Sequence, residues 1–386
     1  MRAKLLTVLG LLAFATVAWG AGETAATFGI APGTNPRNVC VYDLSVSRPC
    51  VTIGSLDSIA HTFTPPASYF ATGLPGGRLT LVSSQPVIIA DTTSSTVYYT
   101  PFYGNGITIF DGTSPVTYNF AETTLALDSN SGHTGYQQSG KNYDLFLIAD
   151  SGTLRLCTGP AWTSDTARGT GAGTTQLQFN LGFLTNKFTM NCRWGSVSGN
   201  LISVPANEGT YLGSMRATAN GQTAMIMNPA GASGGAAGTL GLWNRYNRVI
   251  LQSSTRDTGV SYSVAGAGTI EEARASAQNR VSFIAGDLTE SISCSYNQSW
   301  TTDAVLNAYG GFGVGLDSTT AFYNNIWTGI QTLSGSSTSV GTITSITNQM
   351  PAQLGWHFIS ANEWSPTGTS TADLWATAQL ACQFVM

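Results

Sequence analysis

Hydrophobic residues along this chain alternate with polar ones more often than they recur at helical spacing. In the closing run TADLWATAQLACQFVM, the residues Leu374, Ala376, Ala378, Leu380, Cys382, Phe384 and Met386 fall on every second position. Ala and Leu favour helices, but a period of two sustained this long describes a strand with one buried face. We read it as a central strand. The segment Tyr143 to Arg168, YDLFLIADSGTLRLCTGPAWTSDTAR, opens as a hairpin: two apolar runs meet at Asp150-Ser151-Gly152, and the second leads into a Trp-bearing Thr/Ser loop. Turn pairs recur between other β-forming runs. Asp111-Gly112 separates GITIF from VTYNF, Asn220-Gly221 separates YLGSMRATA from QTAMIM, and Gly286-Asp287 separates NRVSFIA from LTESISCSY. Such pairs supply the positive φ of tight hairpins. The pattern predicts an all-β protein of antiparallel β-sandwich or jelly-roll-like domains. The one helical candidate beyond the N-terminus is short, near Ile270 to Gln278.

The same pattern divides the chain. Residues 1–20 read as a signal-like helix: Arg2 and Lys4 precede the apolar run Leu5 to Val17, and Ala18 and Gly20 provide small residues before Ala21. Residues 21–92 form a small N-terminal β module that includes the Pro/Gly-rich stretch TPPASYFATGLPGG. A central β domain is expected over 93–228 and a C-terminal β-sandwich over 239–386. Between them PAGASGGAAG is a linker or a long loop. No repeat of fixed period is present, which argues against a solenoid or propeller.

Composition sharpens the class. Of 386 residues 42% are hydrophobic but only 9% are charged, against roughly a quarter charged in an ordinary domain. Apolar content is too high for a disordered chain, so the surface must be built from Ser, Thr, Asn, Gln and Gly. The net charge is −4, and removal of Arg2 and Lys4 with the leader would make it 14 − 20 = −6. Lysine occurs only at Lys4, Lys141 and Lys187. No basic footprint exists for phosphates, which excludes nucleic-acid binding. The six cysteines form an even set, as disulfides in an exported chain require. Closeness in sequence pairs Cys40 with Cys50 and Cys157 with Cys192, leaving Cys294 with Cys382. None has the short paired spacing of a zinc site.

Motifs that carry chemistry fail on inspection. Gly135 to Asn142 (GYQQSGKN) comes one residue from a phosphate-binding loop, but Asn142 stands where Ser or Thr must hold magnesium. Gly231 to Gly235 has G-x-S-x-G spacing inside a Gly/Ala run, without the strand and helix a nucleophile elbow needs. His61, His133 and His357 share no metal-ligand spacing, and His357 in GWHFIS reads as a half-buried strand residue. Glu271 and Glu272 are adjacent, so they point apart and read as a solvated turn rather than a glycosidase pair. No catalytic residue, metal or cofactor is nominated, and the chain is not read as an enzyme. The aromatics say more. Trp162, Trp300 and Trp327 lie beside turn residues, where a flat ring with neutral hydrogen-bonding neighbours suits a sugar or protein surface.

From about Tyr98 onward the chain resembles a widespread family of tailed-phage virion proteins, usually labelled tail-fibre or structural proteins. The segments that carry the likeness are YYTPFYGNGITIFDG (98–112), YDLFLIADSGTLRLCTGPAWTSDTARGTGAG (143–173) and YLGSMRATANGQ (211–222). They continue as LGLWNRYNRVILQSSTRDT (240–258), NRVSFIAG (279–286), GLDSTTA (315–321) and QLGWHFISANE (353–363). The resemblance implies a β-rich particle protein without a catalytic motif, a homo-oligomer (a trimer by analogy with fibres) that contacts other virion proteins. A host-surface glycan or protein receptor is its expected external partner, and the virion its expected location. The signal-like start departs from that pattern, since phage tails assemble in the cytoplasm. It points instead to an exported bacterial surface or adhesin protein derived from a prophage. A secreted polysaccharide-degrading enzyme is the third expectation, which no carboxylate pair in the sequence supports.

Overall fold

Asn142–Asp150 and Thr153–Ala161 form the expected antiparallel hairpin. In the computed structural model Ser151 (φ 48°) and Gly152 (φ 85°) both take left-handed backbone at its tip, the conformation a two-residue hairpin turn needs. The structure describes four strands between residues 27 and 64, and residues 74–386 apart from 181, 260–261, 265–267, 303–308, 332–341, 366–369 and 373–377. The signal-like segment and the Cys40–Cys50 pairing fall outside the described residues.

Backbone contacts group the chain into two units, Met1–Ala71 and Thr72–Met386. In the first, Thr27–Ile30, Arg37–Tyr42, Val51–Asp57 and Thr62–Thr64 pair antiparallel in chain order. The second is all-β in curled, mainly antiparallel sheets, and among the described residues it holds no α-helix. Its first large sheet centres on Asn142–Asp150, between Thr153–Ala161 and Thr210–Arg216. Leu145, Phe146 and Leu147 are all buried there. Covering on both faces is why this strand reads as a continuous apolar run rather than an alternation.

Two further sheets build the C-terminal half. One carries, in order, Thr328–Gln331, Tyr309–Leu316, Gly355–Trp364, Arg280–Ala285, Gly238–Leu240, Thr223–Ile226 and Thr92–Ser94. The other is centred on Ile292–Thr302 and Gln379–Val385. Phe283 of the first meets Phe384 of the second at 4.9 Å between ring centroids, and Tyr296 meets Phe312 edge-on at 5.3 Å. Leu380, Cys382, Phe384 and Met386 are buried, and Gln379–Val385 pairs with a strand on each side, as the alternation of that part required; Leu374 and Ala376 of the same run lie outside the described residues. Cys294 lies directly opposite Cys382 in that register and is disulfide-bonded to it. Cys157 is bonded to Cys192.

Two expectations change and a third narrows. Ile270–Glu272 is a strand, followed by a single 3-10 turn at Ala273–Ala275 in which Arg274 has φ 60°, so no helix forms over 270–278. Tertiary pairing with Gly355–Trp364 captures its first residues, and Glu272 is buried against Arg280 at 2.5 Å rather than solvated. Asn220-Gly221 closes only a single antiparallel bridge, Ala219 to Gln222, and neither it nor Gly286-Asp287 joins two strands of one sheet. Thr210–Arg216 and Thr223–Ile226 belong to different sheets, as do Arg280–Ala285 and Ile292–Thr302. Finally, strands on either side of 229–238 pair with each other: Thr223–Ile226 lies against Gly238–Leu240. Of the two expectations for this stretch, linker or long loop, the strand pairing gives a loop within one sheet.

Candidate functional site

The strand Tyr309–Leu316, YGGFGVGL, places glycine at every second position on one face. Phe312 and Val314 turn to the core and are fully buried. On the opposite face Gly311, Gly313 and Gly315 expose bare backbone, and the following loop lies flat upon it. A β-carbon at Gly311 would overlap the Trp327 ring, one at Gly313 would come within 2.8 Å of the Phe322 ring, and one at Gly315 would strike the Ser318 carbonyl. Asn362, fully buried, pins this loop: its Nδ2 donates to the carbonyls of Ser318 (3.0 Å) and Ala321 (2.9 Å).

The loop ends in a 3-10 turn at Tyr323–Asn325, where Asn324 and Asn325 have φ of 54° and 56°. Asn enters left-handed backbone more readily than most residues, so the Asn-Asn pair turns the chain and delivers Trp327 onto the sheet. Register supplies its neighbour. Trp364 lies opposite Gly311 on one side and opposite Ile270 on the other. The Trp327 and Trp364 rings meet at 5.6 Å and 64°. Both rings line an open cleft of about 560 Å³, together with Phe322, Thr269, Thr320 and Asn325. Trp327 is 46% exposed. None of the cleft's lining residues is charged.

The three tryptophans singled out by loop context have different surroundings. Trp327 lines the cleft. Trp162 is 2% exposed, with the Arg168 guanidinium 4.4 Å from its ring centroid, and so offers a ligand no open face. Arg168 in turn binds Asp144 through Nε (2.7 Å) and Nη2 (3.1 Å) and donates to the Gly286 carbonyl (2.7 Å). The Trp-bearing loop is therefore a pin between sheets. The Trp300 side chain lies outside the described residues; its backbone pairs with Thr342 inside a strand. Trp194, Trp243 and Trp356 also carry an arginine over the ring.

Sequence reading missed Trp364 and Phe322. Alternating glycines in YGGFGVGL were the available signal, since a bare strand face invites covering by a loop. It also missed the polar core behind the cleft. Glu363, 1% exposed, accepts from the Tyr262 hydroxyl and from the Arg274 N–H (2.9 Å). Arg274 Nε binds Asp257 at 2.7 Å. Burial pushes the Glu363 carboxyl up to about 7, against the lowering effect of its donors. His357 is buried in its strand and has a partner, Asp317, at 2.6 Å.

Carboxylates meet open space in a second, smaller groove of about 270 Å³, where Asp111, Asp150 and Glu208 face Tyr118. Asp150 is engaged by Arg155 at 2.7 Å. The N–H groups of Ser114 and Thr113 hold Asp111 below its usual range, while partial burial and the Asp111 charge raise Glu208. Among the described residues no three of His, Cys, Asp and Glu converge as a metal site would require.

No family model and no curated protein matches the chain. Among solved structures, one of the infectious bursal disease virus Gx strain is 11% identical, with 79% of this chain and 74% of that chain covered, at a TM-score of 0.26. The exo-β-1,3-galactanase of Phanerochaete chrysosporium, with galactose, is 12% identical over 91% of this chain and 75% of its own, at 0.16. A Bacillus thuringiensis Cry1Da tryptic core variant is 9% identical over 74% and 47%, at 0.17. Likenesses this weak assign neither a fold family nor an activity.

Proposed function

We propose that this is a bacteriophage virion structural protein, tail fibre or tail-associated, whose C-terminal sheets form a jelly-roll-like sandwich that presents an aromatic recognition site to the host. The observation that carries the reading is the Trp327–Trp364 cleft, an open aromatic corner fixed to a rigid sheet by a glycine floor. Recognition sites are commonly loops held by such scaffolds. The resemblance of its segments to those of tailed-phage virion proteins supports it from the other side. Two disulfides suit exposure to an oxidising medium, whether on a particle or on a secreted protein. In this reading the chain assembles as a homo-oligomer, a trimer by analogy with fibres, alongside other virion proteins.

Peptide mass spectrometry on purified particles and on the cell-envelope fraction of the same culture tests this reading. The protein is expected in the particles, and particles lacking it should fail to assemble or adsorb. Detection only in the envelope, with Ala21 as its first residue, would overturn the reading in favour of an exported prophage-derived surface protein.

The Asp111–Glu208 groove favours a second reading, a polysaccharide-degrading tail enzyme, because one carboxyl is held ionised and the other is raised. Reducing-sugar release from host capsule that is lost in Glu208→Gln would support it; no release would dismiss it.

A further inference from the structure

We propose that the cleft between Trp327 and Trp364 binds a neutral carbohydrate, with one sugar ring stacked on the open face of Trp327. This rests on the host-recognition reading above and names the ligand class of the same site.

The geometry selects among ligand chemistries in steps. Trp327 has one face laid on the Gly311 backbone, so only the other is available, and its orientation is set before any ligand arrives. A preorganised ring loses little freedom on binding. Trp364 stands at 64° to it, giving an inside corner of two aromatic surfaces. A pyranose matches that corner: its axial C–H face is apolar and its edge is a belt of hydroxyls. The polar residues that line the cleft with the two rings are Thr269, Thr320 and Asn325, whose side chains donate and accept without charge.

An ionic ligand fits poorly. It would be partly desolvated against aromatic walls with no countercharge among the lining residues, a cost that nothing there offsets. A peptide strand fits poorly too, because strand addition needs an unpaired sheet edge. The cleft floor is interior sheet: Trp364 is flanked by paired strands on both sides. At about 560 Å³ the volume lies within the range of small-molecule sites and exceeds what a single sugar ring fills. Contrast with the other tryptophans sharpens the assignment. Trp162, Trp194, Trp243 and Trp356 each pack against an arginine that occupies a ring face, whereas Trp327 is left 46% exposed.

The test is titration of the full-length protein with neutral oligosaccharides of glucose, galactose, mannose and N-acetylglucosamine, followed by calorimetry and tryptophan fluorescence. At least one is expected to bind, insensitively to salt. Trp327→Ala should weaken it by about tenfold or more while the protein stays folded, as circular dichroism would show. Gly311→Ala, which displaces the ring without removing it, should weaken binding and shift the emission. The proposal is overturned if no neutral sugar binds, if Trp327→Ala binds as well as wild type, or if only charged saccharides bind. It is also overturned if Trp327-dependent attachment to host cells survives periodate oxidation of their glycans, which would indicate a protein receptor. A protein present in particles that binds no sugar refutes this inference alone. Sugar binding by a protein confined to the envelope refutes only the virion reading.

Discussion

Glu363 and Trp364 are neighbours in sequence on opposite faces of one strand, and their surroundings could hardly differ more. Trp364 helps wall an open cleft, while Glu363 is buried among Tyr262, Tyr296, Gln298 and Arg274. Because burial raises the folded-state carboxyl from 4.5 to about 7, the folded protein prefers this group protonated. Its contribution is therefore complete below pH 4.5 and is lost as pH rises through about 7. The size is about 3 kcal/mol as an order of magnitude. His357 acts with the same sign at higher pH. Burial pulls it down, but its bonds to Asp317 and the Leu354 carbonyl outweigh that and raise it, so its stabilisation is present below 6.5 and fades above. Urea unfolding at pH 5 and pH 8 should show wild type weaker at pH 8, and Glu363→Gln should flatten most of that slope. An unchanged slope in the variant would place the pH dependence elsewhere. Residue roles were legible where a local signal existed: Asn324-Asn325 marks the turn that presents Trp327. They were illegible where the partner is remote. Nothing near Glu363 in sequence announces Tyr262, and nothing near Trp162 distinguishes an open ring from one covered by Arg168, six residues on.

Elements were read best where strand period and turn chemistry agreed. Gly106–Phe110 and Pro115–Asn119 pair as expected around Asp111-Gly112, where Asp111 Oδ1 accepts the Thr113 and Ser114 N–H groups. Asn220-Gly221 and Gly286-Asp287 carry similar turn chemistry but change sheets, because a turn dipeptide fixes the local reversal and not the strand that receives the chain afterwards. The second of these corners is held by the Trp-bearing loop, since Arg168 donates to the Gly286 carbonyl and neutralises the fully buried Asp144. Arg168→Ala leaves that carboxylate without its cation and should cost about 3–5 kcal/mol, measured as the shift in urea midpoint. Arg168→Lys should recover little, because an ammonium cannot reproduce the planar fork that reaches Asp144 twice and Gly286 as well. A full rescue by Lys would show that charge alone matters. The disulfides act at the same scale. Cys294–Cys382 closes 88 residues and Cys157–Cys192 closes 35, worth about 4–5 and about 4 kcal/mol by loop closure. Replacing both cysteines of the longer loop by serine should lower the melting temperature at least as far as replacing those of the shorter one.

For the second unit as a whole, the sequence suggested a central and a C-terminal domain with a Gly/Ala-rich linker or long loop between them, and contacts group Thr72–Met386 together. Composition alone leaves the choice open, because a glycine-rich loop inside a sheet has the same composition as a tether between domains. Long-range pairing bears on the choice, and it is invisible locally. Thr92–Ser94 pairs with Thr223–Ile226, and Gly238–Leu240 runs parallel to Arg280–Ala285, so one sheet draws on both supposed domains. Arg78 closes the unit. It is 2% exposed and donates to the carbonyls of Met386 (2.6 Å), Pro86 (3.0 Å) and Asn247 (3.2 Å), residues 8 to 308 positions away. If this unit is one cooperative body, residues 72–386 expressed alone should unfold in a single transition by calorimetry. Arg78→Ala, which strands several buried carbonyls, should move that whole transition down by about 2–4 kcal/mol. Two separable transitions, with only one moved by the substitution, would support the two-domain division and make the shared sheet a contact between independently folding parts.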